Sequence, residues 1–162
     1  MTGNTLFETE NFRVFAFPTP HVDRDEGGHL KVETTKNIKD RADLPPHMAV
    51  EFAWLVTLVG EAFKTVMNNQ GVEVVKLNYL EMGNWAFKKP NPTEHFHIHI
   101  YGRVFGAKHQ PFPEALYLPD RKSGFYDTFK ALTKEDETLL TQEIVKLGAT
   151  EKYKEENWRI NK

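Results

Sequence analysis

The 162-residue chain has no cysteine, which removes disulfides, thiolate nucleophiles and cysteine-ligated zinc together. It also has no charge excess: 21 Lys+Arg stand against 23 Asp+Glu, a formal net charge of −2. A protein dedicated to nucleic acid is expected to carry a basic surplus that neutralises phosphates. The balance argues against that class, while a small local phosphate site stays open. No long apolar run is present. The richest stretch, AVEFAWLVTLVGEAF, is interrupted by Glu51 and Glu61 and is too short and too charged for a membrane span. The first residues, MTGNTLFETENFRVF, do not pair a basic segment with an apolar one, so export is not expected and the cytoplasm is the expected location. What remains is the composition of one ordinary domain, long enough to bury a core of its own.

Periodicity divides the chain. Residues 11–17 (NFRVFAF) are aromatic and β-branched and stop at Pro18 and Pro20, which predicts a strand. A turn follows over 23–28 (DRDEGG), then a second strand from about His29, where Leu30, Val32 and Thr34 alternate with polar residues. The clearest helix is expected between Pro46 and Gln70, with Asp43 as candidate N-cap and Gly71 beyond its end. Met48, Phe52, Leu55, Val59, Ala62 and Val66 fall on one face, and Trp54, Val56 and Leu58 widen it, so burial on more than one side is expected. Residues 72–82 resume a strand pattern. A Pro-, Asn- and Lys-rich loop over 83–94 leads into a last strand beginning at HFHIHIYGR. Residues 105–132 are rich in Pro, Gly and aromatics without a period and read as an ordered excursion. A final helix is expected over about 133–147, with acidic residues 135–137 in its first turn, then a charged tail from Lys152.

Three of the seven histidines, His95, His97 and His99, alternate with Phe96, Ile98 and Ile100. In a strand such residues project from one face, roughly 6.5–7 Å apart. Alternating imidazoles can ligate zinc. They can equally form a catalytic row, because imidazole with an unperturbed pKa of about 6.5 serves as nucleophile and proton donor near neutral pH, and mutual repulsion keeps one ring neutral. Three histidines with no role on a polar sheet face are the remaining reading.

The run His95-Phe96-His97-Ile98-His99-Ile100-Tyr101 resembles the signature of the histidine triad (HIT) nucleotide hydrolases and transferases. Gly27-Gly28-His29-Leu30 before a strand, a long amphipathic helix and a further strand occur in the matching order, so the resemblance covers about residues 11–104. It implies an α+β domain with an antiparallel sheet flanked by a long and a C-terminal helix, commonly a homodimer paired through the long helix and a strand. It implies further that His97 attacks the α-phosphorus of a nucleoside phosphate ester, anhydride or phosphoramidate to form a nucleotidyl-histidine. His99 would contact the α-phosphate and assist the leaving group, with His95 and His29 ordering the imidazoles. The triad itself requires no metal, although Mg²⁺ can accompany a polyphosphate substrate. Neither a nucleic-acid nor a membrane partner is expected.

The departures from the pattern lie in two places. Asn84, eleven positions before His95, is the candidate for the family's asparagine, with Asn78 as fallback, and Thr93 is the candidate phosphate-binding hydroxyl in a segment where Lys88–Thr93 replaces a Gly-Gln or Gly-Ser pair. Pro18-Thr19-Pro20 stands where an acidic ribose-binding residue is expected, with Asp23 and Asp25 a few positions later. His21, His47 and His109 fall outside the motif and read as surface or capping residues. A nucleotidyltransferase, a zinc-binding domain and a nucleotide-binding module without turnover are the competing functions.

Overall fold

The computed structural model describes residues 3–160. Alternating apolar residues build a five-stranded antiparallel sheet from β1 (Thr5–Glu8), β2 (Phe12–Ala16), β3 (His29–Thr34), β4 (Lys76–Glu81) and β5 (His97–Arg103), in the order β1-β2-β3-β5-β4. The architecture is the expected α+β one, with one strand more than the periodicity indicated. Only four residues long and half polar, β1 carries too little pattern to be seen in sequence.

One sheet face, formed by Val14, Leu30, Val32, Ile98 and Ile100, is packed into the core with α1 (Pro46–Asn69). All six residues of the expected stripe on α1 are buried, as are Trp54 and Leu58. The extra width is used within the chain: α1 also packs against α2 (Lys134–Gly148), and the Trp54 indole N–H donates to the Tyr153 carbonyl at 2.9 Å. The tail is therefore more than a solvated charged segment, since turns over Glu151–Tyr153 and Glu155–Trp158 bring Tyr153 to 1% exposure. Its last two residues lie outside the described ones.

Asp43 does not cap α1. It closes a short 3-10 turn, Arg41–Asp43, and Pro45 occupies the N-cap position without a side-chain hydrogen bond. Pro46 starts the helix instead, because its missing N–H would have had no partner in the first turn. In α2 a capping box joins Thr133 and Asp136, and Arg24 donates to both Asp136 oxygens at 2.9 Å. Burial pushes the Asp136 carboxyl up, but the bonds from Arg24 and Thr133 outweigh it and hold the group below its usual value.

The other sheet face is covered by the β2–β3 connection and by residues 105–132. Arg103, 2% exposed, donates to the carbonyls of Pro111 and Glu114 (2.9 Å each) and to Asn78 Oδ1 (2.6 Å). The Glu26 carboxylate receives the amides of Lys108, His109 and Gln110, and Asp23 receives that of Lys130 at 2.8 Å. Residues 105–132 thus hold almost no regular structure, yet their backbone donors and acceptors are tied down by buried side chains from the sheet and the turn.

Candidate active site

Strand register assembles the histidines. Antiparallel pairing sets Lys31 opposite His99, Glu33 opposite His97 and His29 opposite Tyr101, so these residues share the face turned away from α1. His29 is diagonal to His99, and its Nε2 lies 2.8 Å from His99 Nδ1. His97 and His99 stand perpendicular, with ring centroids 4.8 Å apart. His95 precedes β5, and its Nε2 donates to the Thr34 carbonyl at 2.9 Å.

The hydrogen bonds assign the protons. The His21 amide donates to His29 Nδ1 (3.2 Å), so neutral His29 carries its hydrogen on Nε2 and passes it toward His99 Nδ1. His99 is then protonated on Nε2. His97 Nδ1 lies 2.7 Å from the His95 carbonyl, which only accepts, so His97 Nδ1–H is the donor and Nε2 keeps a free lone pair. One ring thus presents a free nitrogen lone pair, and the ring beside it a hydrogen-bond donor.

Burial disfavours charge on His21, His29, His97 and His99. It lowers His99 to about 2 and His21 to about 4, assisted by neighbouring positive groups, and drives fully enclosed His29 well below its ordinary value. His97 is lowered by burial first and then by Lys31, against smaller opposing effects of the His95 carbonyl and Glu33. Near pH 7 His99 is therefore a hydrogen-bond donor rather than an acid. Activity that needs free His97 is expected to fall on the acid side with its midpoint below the ordinary imidazole value of about 6.5, as a pH profile of kcat/KM would record. Stability follows the same sense. A base whose pKa is lowered by folding takes up protons more readily when unfolded, so stability is lost as pH drops below about 6.5, by roughly 1 kcal/mol each one unit lower for His21 and His99, with His29 acting in the same direction. Urea midpoints taken in parallel separate unfolding from titration of His97.

His95, His97 and His99 line a cavity of about 320 Å³, within the range of small-ligand sites. Asn84 and Thr93 line it too, both exposed, whereas Asn78 is held by Arg103 beneath the extension. His29 lies behind the cavity, reached through His99. Asp23 and Asp25 are bonded to the amide and ammonium of Lys130 and take no part in the lining. Lys88 pairs with Asp120 and lies over the Trp85 ring at 4.2 Å. His47 is exposed on the first turn of α1, and His109 bonds Glu26 at 2.8 Å.

His21 corrects the sequence reading. Far from lying at the surface, it is 5% exposed, touches the His29, His99 and Trp85 rings and lines the cavity. Its Nδ1 meets the Tyr101 hydroxyl at 2.8 Å. The only prior signal was position, in a Pro-rich turn eight residues before His29. Arg121 and Leu118, from the aperiodic extension, also form the wall and had no motif to mark them.

Ring nitrogens of His21, His29 and His99 lie within 4.8 Å of one another, close enough to converge on a metal ion. Two of them already hydrogen-bond each other, and the charged residues of the lining are Lys31, paired with Glu33 behind it at 3.0 Å, and Arg121, which no carboxylate pairs among the described residues. That environment suits an anion better than a cation.

No family model and no curated protein matches the sequence. Solved structures do match in fold. A hypothetical histidine triad nucleotide-binding protein from Sulfolobus tokodaii superposes with a TM-score of 0.58 at 17% identity, over 91% of this chain and 87% of that one. A histidine triad protein from Sinorhizobium meliloti gives 0.60 at 15% identity, over 89% and 88%. A zinc-bound histidine triad family protein from Mycobacterium smegmatis gives 0.57 at 20%, over 92% and 88%. Each match covers about nine-tenths of the chain, more than residues 11–104, so that nearly the whole chain shares the α+β fold of these histidine triad proteins.

Proposed function

We propose that the protein is a nucleotide hydrolase that cleaves at the α-phosphate of a nucleoside phosphate derivative through a covalent intermediate on His97. The observation that carries this reading is the His97 Nδ1 bond to the His95 carbonyl, which leaves Nε2 unprotonated in a cavity whose wall carries Arg121, a cation that no carboxylate pairs among the described residues.

In the first step Nε2 attacks phosphorus, forming a P–N bond as the bond to the leaving group breaks. His99 Nε2–H supports the developing charge on a phosphate oxygen, held in that tautomer by His29. Water then attacks phosphorus, the P–N bond breaks and the nucleoside monophosphate departs. Asn84 and Thr93 would contribute polar contacts, and Trp85 an aromatic wall for the base. The residues need no resident metal for these steps, and Mg²⁺ would arrive only with a polyphosphate. With phosphate or a sugar phosphate in place of water the same intermediate would serve a transferase, which product analysis with and without such an acceptor distinguishes.

The test is an intact-mass time course after mixing with diadenosine tetraphosphate and, separately, adenosine 5′-phosphoramidate. A transient AMP adduct absent from His97→Ala is the expected result. Turnover without an adduct, or an adduct surviving in the variant, overturns the assignment.

Among the described residues no helix is long and apolar enough to cross a membrane. One edge of the sheet, β4, has no strand beyond it, and Tyr79 on it is 44% exposed beside the partly covered Val56 of α1. A homodimer joined along β4 and α1 is the corresponding proposal. Sedimentation is expected to give twice the chain mass, and Tyr79→Glu to reduce it to the monomer.

A further inference from the structure

Arg121 is not explained by the reaction as written. It lines the histidine cavity, half-buried, with its guanidinium over the Phe17 ring at 5.8 Å and the Tyr126 ring at 5.2 Å. Its Nη2 donates to the Thr19 carbonyl, and no carboxylate pairs with it among the described residues. The neighbouring Asp120 is taken by Lys88 instead. A half-buried cation without a counter-ion is unfavourable, because partial desolvation is left uncompensated. The surrounding chain nevertheless fixes it, through the extension's ties to Glu26, Asp23 and Arg103.

A second incomplete group shares that cavity. His21 Nε2 is buried and has no hydrogen-bond partner. When Tyr101 donates its hydroxyl proton to His21 Nδ1, the His21 hydrogen lies on Nε2, a buried donor that no acceptor meets. A guanidinium without a carboxylate partner and an imidazole nitrogen without a hydrogen bond thus line the same cavity as His97, and the lining holds no acidic residue to satisfy them.

We infer that Arg121 and His21 form a subsite for a second phosphate group, making the substrate a nucleoside phosphoanhydride rather than an ester or amide with an uncharged leaving group. This rests on the nucleotidyl-transfer reading and narrows it. The chemistry of the first step agrees. A phosphate leaving group departs as an anion without taking up a proton, whereas an amine must be protonated as it leaves, and His99 is neutral and not acidic near pH 7. Arg121 offers the paired N–H geometry that matches phosphate oxygens.

Two measurements test it. In calorimetry with the full chain carrying His97→Ala, without divalent ions, ATP is expected to bind at least about tenfold more tightly than AMP, the preference an added charge-assisted pair would give. Arg121→Gln should bring the two within about twofold while leaving AMP affinity unchanged, which also checks that the site is still folded, and Arg121→Lys should retain part of the preference. No ATP preference in the parent, or one that survives Arg121→Gln, overturns the subsite. In kinetics, Arg121→Gln should lower kcat/KM for diadenosine tetraphosphate at least about thirtyfold, but less than about threefold for the p-nitrophenyl ester of AMP, whose leaving group needs no proton and carries no phosphate. Equal losses on both substrates refute the subsite. If neither substrate is turned over, the hydrolase reading fails while the binding comparison still decides the subsite.

Discussion

Replacing His97 with alanine is expected, on the proposed mechanism, to lower AMP release by at least about 10³-fold, because the variant would remove the attacking nitrogen and leave water to compete at an anionic phosphorus. Substrate affinity should change much less. The other polar groups around the cavity do not depend on the His97 ring for position: His99 is held by His29, and His95 by the Thr34 carbonyl. Added imidazole gives a sharper form of the test. If the defect is the missing nucleophile, free imidazole diffusing into the space left by the ring should restore part of the rate while no adduct forms on the protein. A rate restored with a protein-bound adduct would point to a second nucleophile. A variant as active as the parent would make His97 a recognition residue.

The same rings set the order of losses expected along the row. His99→Ala removes the donor beside the nucleophile and should cost less than His97→Ala, since a preorganised donor typically contributes about 10²–10³-fold where a nucleophile contributes more. His29 touches the reaction only through His99, to whose Nδ1 it presents its Nε2–H. It is a positioning residue, and its removal should shift the pH dependence as well as the rate, because His99 would then be free to take the other tautomer.

How much of this was legible in the sequence depended on whether a residue's place followed from local periodicity. The alternation of His95, His97 and His99 with Phe96, Ile98 and Ile100 determines which side chains face the core, and Ile98 and Ile100 are indeed buried there. The stripe on α1 was equally readable, because apolar spacing near 3.6 residues is a property of the helix itself. His21 was not legible. Its depth comes from a turn folding over the sheet, and no local pattern distinguishes that histidine from an exposed one. Arg121 lies still further from inference, since its position is fixed by contacts such as Glu26 with the Lys108–Gln110 amides, more than 80 residues apart in sequence. Asp43 shows the opposite error. A good N-cap residue in the expected place lost to Pro45-Pro46, whose fixed φ sets the start of the helix.

The glycines of the β2–β3 connection and β5 carry the second large effect. Gly102 sits in β5, where the neighbouring pattern would accept any small apolar residue. A Cβ built there would lie 2.2 Å from the Gly27 carbonyl oxygen and within 3 Å of the Gly27 carbonyl carbon and Cα. These are backbone atoms and cannot swing aside. The Gly102 amide donates to the Gly28 carbonyl at 3.2 Å, so the two chains cross at the distance of a hydrogen bond with no layer of side chains between them. Gly102→Ala is therefore expected to destabilise the fold by about 3 kcal/mol or more, at the upper end of overpacking effects, because relief requires moving a whole segment. That segment also carries His21 and the carboxylates of Asp23 and Glu26 that fasten the extension. The variant should thus lose Arg121-dependent ATP preference under conditions where it is still folded. Urea unfolding compared with Gly83→Ala, which would meet nothing within 4 Å, separates the clash from the general cost of altering glycine. Equal midpoints for the two variants would mean that the β2–β3 turn can lift from the sheet without cost, and the rigid second wall of the cavity would have to be abandoned with it.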